Sequence, residues 1–172
     1  LGSLIARHFA SEHSDRLSSL VLHGSIYKRS IEQKRVVENR FELMKLDKPA
    51  SKKSALRRWF TEEFIKNNKE VYDKIYSMLE DNNLKSLLKV YKIFLNYKDE
   101  DQMFGKINTN TLVTTGQYDV GSTTEMAKNL TEKIKDAKYT EIKNGKHLCN
   151  IESAEFFNKV IEVFIDQNYD NA

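Results

Sequence analysis

Thr111-Leu112-Val113-Thr114-Thr115-Gly116-Gln117-Tyr118-Asp119 is the stretch that decides the fold. An apolar, β-branched run stops at a glycine, and a short polar loop follows and ends in a carboxylate. Its middle is apolar, as in a parallel strand covered on both faces. Two other segments have the same form. Leu17-Ser18-Ser19-Leu20-Val21-Leu22-His23 ends at Gly24, and Lys138-Tyr139-Thr140-Glu141-Ile142 ends before Asn144-Gly145.

Helical patterns alternate with these strands. Leu1 to about Ser11 places Leu1, Leu4, Ile5, His8 and Phe9 on one face. From Ser122 to about Lys135 the apolar positions are Met126, Ala127, Leu130 and Ile134, and Ser122 and Glu125 have capping-box spacing. From Glu152 to about Asp166, Phe157, Val160, Ile161, Phe164 and Ile165 recur at helical intervals. Strands separated by helices predict an α/β fold with a parallel sheet covered by helices. Three parallel strands make a thin sheet, so they read as one side of a larger one.

Between the first two strands lies an insert, residues 27–98, with almost no strand signal. Four apolar sets recur at helical spacing: Val37, Phe41 and Met44; Leu56, Trp59, Phe60 and Phe64; Val71, Ile75, Met78 and Leu79; Leu84, Leu87, Leu88 and Tyr91. Pro49 and Asn67-Asn68 fall between sets. The expected organisation is therefore a core from residues 1–26 and 99–172, interrupted by four helices.

Composition narrows the function. The 172 residues carry 28 basic against 25 acidic side chains, a balance that gives no argument for nucleic acid. The densest basic stretch, Lys48, Lys52, Lys53, Arg57 and Arg58, reads as a solvated helix face. No apolar run is long enough to span a membrane. Cys149 is the single cysteine, so no intramolecular disulfide can form, which suits the cytoplasm. The histidines fit no metal-ligand spacing with a nearby Asp or Cys. His8, His13 and His23 read as structural or exposed. Cys149 reads as a small buried thiol and not as a partner of His147, because i and i+2 side chains point apart.

Open parallel sheets do their chemistry in loops at the C-terminal strand ends. Two such loops carry titratable groups: Gly116-Gln117-Tyr118-Asp119-Val120-Gly121 and Asn144-Gly145-Lys146-His147-Leu148-Cys149. Taken singly, Asp119 reads as a turn residue and His147 as structural. On neighbouring strand ends they can meet, the carboxylate holding one imidazole nitrogen while the other acts as general base.

These motifs resemble the α/β-hydrolase family. Leu112 to Asp119 is similar to its strand and Gly-x-x-Asp acid loop, and Gly145-Lys146-His147-Leu148 to its histidine loop. The family order is nucleophile, acid, histidine. Leu1-Gly2 resembles the end of its Gly-x-Ser-x-Gly elbow, with Ser3 where many members have glycine. Ser3 to Ala10 resembles the helix that follows the elbow. The resemblance implies that the chain is the C-terminal part of such a protein, with the nucleophile just before Leu1. It also implies that the Leu1 backbone N–H is an oxyanion donor. The insert resembles the family's helical cap. Arg58-Trp59-Phe60-Thr61, Phe64 and the Tyr91-x-x-Phe94 pattern are similar to caps of 3-oxoadipate enol-lactonase-like members.

The resemblance thus implies a hydrolase of small carboxylic esters or lactones using a Ser-His-Asp mechanism, with catalytic Asp119 and His147 and no cofactor. Trp59, Phe60, Phe64, Val120 and Leu148 are candidates for lining the substrate pocket. An aspartate nucleophile would instead imply a haloalkane dehalogenase or epoxide hydrolase. Carbon–carbon bond hydrolysis and a non-catalytic binding role are further alternatives. The expected partners are a small-molecule substrate and either the rest of the domain or a second copy, because the first strand would present an apolar edge.

Overall fold

The computed structural model describes residues 1–169. In chain order its elements are α1 (Gly2–Glu12), β1 (Leu20–His23), α2 (Ile31–Leu46), α3 (Lys48–Trp59), α4 (Glu62–Asn67), α5 (Lys69–Glu80), α6 (Leu84–Asn96), α7 (Asp101–Phe104), β2 (Thr111–Gly116), α8 (Thr124–Thr131), β3 (Lys138–Ile142), α9 (Cys149–Glu152) and α10 (Ala154–Tyr169). They form two compact units, one from Leu1–Lys28 and the chain from Asp99 onward, the other from Arg29–Lys98.

The first unit is built on a parallel sheet of order β1-β2-β3. Val113 lies opposite Leu22 on one side and Tyr139 on the other, so β2 is central, and every one of its residues is buried. Helix α1 packs on β1, α8 on β2 and β3, and α10 on β3. Parallel pairing puts the three C-terminal strand ends, and hence the loops after β2 and β3, on one side of the sheet. Among the described residues, β1 pairs with β2 alone.

Several boundaries differ from the sequence reading. β1 begins at Leu20 because pairing starts there, with Leu20 N–H donating to the Asn110 carbonyl at 2.9 Å. Residues 17–19, expected in the strand, lie outside it and follow a 3₁₀ turn, Ser14–Arg16. Helix α8 is capped by Thr123, whose side chain accepts from Met126 N–H. The expected cap, Ser122, is used elsewhere: its hydroxyl donates to the Gly24 carbonyl at 2.7 Å. The last helical pattern breaks at Ser153 into α9 and α10, and Phe164 is its buried anchor.

Helix α1 also faces differently. Its buried positions are Leu4, Arg7 and Ala10, whereas Leu1, Ile5 and Phe9 are 44%, 61% and 41% exposed. The cause is Arg7, which apolar periodicity passes over. It is fully buried, and its guanidinium donates to the Ile26 carbonyl at 2.8 Å and pairs with Asp99 at 2.6 Å. It also lies over the Phe104 ring, 5.2 Å from its centroid. Asp99 in turn accepts from Lys28 N–H at 2.8 Å, and Asp101 from the Tyr27 hydroxyl at 3.0 Å. These bonds clasp together the two strands of chain at which the helical insert leaves and returns.

The second unit is helical throughout, with five helices where the apolar sets predict four. The set containing Leu56 and Phe64 is divided because Phe60 is extended and the Thr61 side chain caps α4 by accepting from Phe64 N–H. Ser30 and Gln33 form a capping box on α2, and Asp47 caps α3 with Pro49 in its first turn. Val37, Met44, Leu56 and Phe60 are buried, while Met78 departs from its set at 59% exposure. The basic stretch is not uniformly solvated. Lys53 and Arg57 are exposed, but Lys48, Lys52 and Arg58 are half-buried around a cavity within this unit. Among the described residues no helix is long and apolar enough to cross a membrane.

Candidate active site

Asp119 lies three residues beyond β2 and His147 five beyond β3, and the structure brings them together. His147 Nδ1 and Asp119 Oδ2 are 2.7 Å apart. The Asp119 side chain is 2% exposed and that of His147 36%, so a sheltered carboxylate holds a ring that reaches toward solvent.

The loop after β2 is folded around its carboxylate. Asp119 Oδ1 accepts the backbone N–H of Gly121 at 2.7 Å and of Ser122 at 3.0 Å. Thr115 donates its hydroxyl to the Ser122 carbonyl at 2.6 Å, and Asp119 N–H donates to the Gly116 carbonyl at 3.0 Å. Burial by itself would raise the Asp119 pKa. The His147 hydrogen bond and charge, with the Ser122 and Gly121 N–H groups, outweigh it and leave the pKa below 3.8. The anion is therefore the resting form, as a group that orients an imidazole requires.

The two loops are also joined by backbone. Tyr118 N–H donates to the Gly145 carbonyl and Gln117 N–H to the Ile142 carbonyl, both at 2.9 Å. Gln117 Oε1 accepts from Asn144 N–H at 3.0 Å. Gly116 is required by this close approach, because a Cβ there would overlap the Lys146 carbonyl oxygen and lie 2.6 Å from that of Gly145. Gly24, at the end of β1, has φ +57°, and a Cβ there would stand 3.1 Å from His147 Cε1. Three strand ends thus enclose one imidazole.

A second imidazole lies beside the first. His23 Nδ1 is 2.8 Å from Thr114 Oγ1, its ring meets Phe157 edge-on at 4.9 Å, and its Nε2 is 3.8 Å from Cys149 Sγ. Burial, followed by the charge of His147, pushes its pKa below 6.5 against smaller opposing effects. Cys149 is fully buried, and burial raises its pKa to about 12, so it is a neutral thiol. Sequence reading placed His23 among the structural histidines without its contact to this site. The one available signal was its place at a strand end, next to a glycine.

The other candidate residues are dispersed. Leu1 heads α1, and its carbonyl accepts from Leu4 and Ile5. Val120 is 62% exposed and Leu148 half-buried, each adjacent in sequence to the acid or the base. Within the helical unit, Trp59 lines a cavity. Phe60 is fully buried and stacks on Phe64 at 4.9 Å. Among the described residues no group of three or more His, Cys, Asp or Glu side chains is arranged to hold a metal.

No family model matches the sequence. It is 25% identical over 170 residues to (E)-2-((N-methylformamido)methylene)succinate hydrolase of Acinetobacter baylyi, covering 96% of this chain and 62% of that protein. Its structure is similar to the enol-lactonase from Burkholderia xenovorans LB400, with a TM-score of 0.85 and 23% identity, over 96% of this chain and 62% of the other. It is also similar to MGS-M2, an α/β-hydrolase enzyme from a Medee basin deep-sea metagenome library. There the TM-score is 0.82 at 19% identity, over 96% of this chain and again 62% of the other. The chain thus spans less than two thirds of the length of each.

Proposed function

Because this chain has the α/β-hydrolase fold, we propose that Asp119 and His147 are the acid and base of a hydrolase that cleaves a small carboxylic ester or lactone by acyl transfer. The carrying observation is the pair itself. The imidazole is held through Nδ1 at 2.7 Å by a carboxylate whose other oxygen takes two backbone N–H bonds. That arrangement fixes one tautomer and leaves Nε2 for proton transfer. The relatives support the reaction class, since one is named as a hydrolase and one as an enol-lactonase.

In this reading the nucleophile is a serine on the residue preceding Leu1 in a longer polypeptide, where Leu1-Gly2 matches the end of the elbow motif. His147 Nε2 takes the serine proton as the oxygen attacks the carbonyl. The same proton then goes to the departing alkoxide. Water, activated by His147, releases the acid and restores the serine. Asp119 stabilises the imidazolium at each stage, and the Leu1 N–H serves as an oxyanion donor. The helical insert is a cap domain that selects substrate, and the buried thiol fits the cytoplasm.

The test uses the polypeptide extended upstream of Leu1. A serine-directed phosphonate should label the residue before Leu1. Asp119→Asn should lower aryl-ester turnover by about 10⁴-fold, and His147→Ala by at least as much. Unchanged turnover in both variants would overturn the assignment, and an aspartate in place of the serine would move the reaction away from acyl transfer.

A further inference from the structure

His23 ends β1, yet its ring touches both the strand that leads to the acid and the segment that carries the base. Nδ1 lies 2.8 Å from Oγ1 of Thr114, on β2, which runs into the Asp119 loop. Nε2 lies 3.8 Å from Sγ of Cys149, the first residue of α9, directly after the His147 loop. The ring also faces the His147 backbone, and Phe157 of α10 meets it edge-on. Thr114 and Cys149 are fully buried, so water does not replace either contact if the imidazole is lost.

This crosspiece bears on His147 through parts that cannot give way. Cys149 packs on Gly145, where a Cβ would collide with Cys149 Cβ, so the histidine loop is closed tightly on the residue that His23 contacts. Gly24 completes the seat, since a Cβ there would stand 3.1 Å from His147 Cε1. The Gly24 carbonyl accepts the Ser122 hydroxyl at 2.7 Å, and Ser122 N–H donates to Asp119 Oδ1 at 3.0 Å. The end of β1 is thus tied to the acid loop by Gly24 and to the histidine loop by His23. At neutral pH the His23 ring is uncharged, because burial and then the His147 charge lower its pKa. One of its nitrogens therefore donates and the other accepts, and a hydroxyl and a thiol can each take either role. A phenyl ring would fill the same space and make neither contact.

We propose that His23 is a positioning residue for His147: it spans from Thr114 to Cys149 and holds the histidine loop in register with Asp119, so that the His147 ring stays over Gly24 with Nε2 placed for proton transfer. Its catalytic consequence rests on the acyl-transfer reading, but the place of the ring can be measured without turnover. A misplacement of about 1 Å is enough to cost a large part of the rate of a proton-transfer step.

The experiment measures, by NMR on the 172-residue chain, the nuclear Overhauser effect between His147 Hε1 and the Gly24 Hα protons. This effect falls with the sixth power of distance, so a shift of about 1 Å weakens it severalfold. His23→Phe keeps a ring against Phe157 but removes both polar contacts, and should cause that loss. His23→Gln retains a donor and an acceptor and should restore most of the effect. Thr114→Val removes one contact and leaves His23 in place, and should weaken the effect by a smaller factor. Leu56→Ala destabilises the other unit and should leave it unchanged. In the polypeptide extended upstream of Leu1, His23→Phe should lower kcat about tenfold with KM within about twofold, and His23→Gln should recover most of the rate. An undiminished effect in His23→Phe would overturn the positioning role, as would an equal loss in His23→Gln or in Leu56→Ala. If His23→Phe does not fold, Thr114→Val decides, and an undiminished effect there overturns the role. Full turnover in His23→Phe despite a displaced ring would count instead against the acyl-transfer reading.

Discussion

Helix α6 is richer in apolar residues than strand β2, yet all six residues of β2 are buried and none of the thirteen of α6 is. The difference follows from how each unit is held. In the sheet unit, backbone pairs with backbone, and the loops that carry Asp119 and His147 are joined by main-chain bonds from Gln117 and Tyr118. In the helical unit every backbone bond is spent locally, so side chains alone hold the helices to one another. Only scattered positions such as Val37, Leu56 and Phe60 are buried there. Backbone sets the geometry in one unit and side-chain packing sets it in the other, and the two should fail in different ways.

The largest effect should come from a side chain in the backbone-dominated unit. Arg7→Met removes the cation from Asp99, whose side chain is only 8% exposed. Stranding a buried charge costs about 3–5 kcal/mol, to be read from urea unfolding monitored by circular dichroism. Arg7→Met with Asp99→Asn should recover part of the loss. If the double variant is no more stable than Arg7→Met, the charge pairing is not what Arg7 supplies.

Next is a cavity in the helical unit. Leu56 is fully buried, and Leu56→Ala should cost about 2–4 kcal/mol. Met78→Ala, at a 59% exposed position, should cost less than about 0.5 kcal/mol. Similar losses at the two positions would mean that packing is not what holds this unit.

A methyl group sharpens the comparison. Gly116→Ala places a Cβ against the Lys146 and Gly145 carbonyls, which are backbone and cannot rotate away. The histidine loop must shift, at about 1–3 kcal/mol, and the ring protons of His147 should change chemical shift. Gly2→Ala, whose Cβ would meet nothing within 4 Å, is the control and should leave both unchanged.

The sequence carried these two units unequally. The strand that ends in Gly116, and the loops that end in Asp119 and His147, could be read because one local run fixes strand, turn and functional group together. The helical sets could be read as helices, but the break at Phe60-Thr61 could not, because the Thr61 cap competes with an apolar spacing that continues through it. Arg7 was illegible for a third reason. Its partner Asp99 is 92 residues away, and periodicity scores an arginine as outward-facing. The half-burial of Lys48, Lys52 and Arg58 was hidden in the same way, since a charge run looks identical whether it borders solvent or a cavity.

The smallest expected effect concerns pH, and it separates His23 from Asp119. His23 has a folded pKa below its ordinary 6.5, because burial and then the His147 charge disfavour its cation. When the pH falls below 6.5, the unfolded chain takes up a proton that the folded chain resists, so stability declines until the lowered folded pKa is passed. Asp119 acts in a separate and more acidic window. Its folded pKa lies below 3.8, so its contribution is present above that value and is lost as the pH falls through the folded pKa. His23→Phe should therefore abolish part of the decline that begins as the pH falls below 6.5, while leaving the steeper acid loss intact. Asp119→Asn should do the reverse. Unfolding midpoints from pH 7 to pH 2 in the three proteins would measure both. If His23→Phe followed the unmodified protein throughout, the imidazole beside His147 would be indifferent to its burial. The electrostatic link between β1 and the histidine loop would then fail.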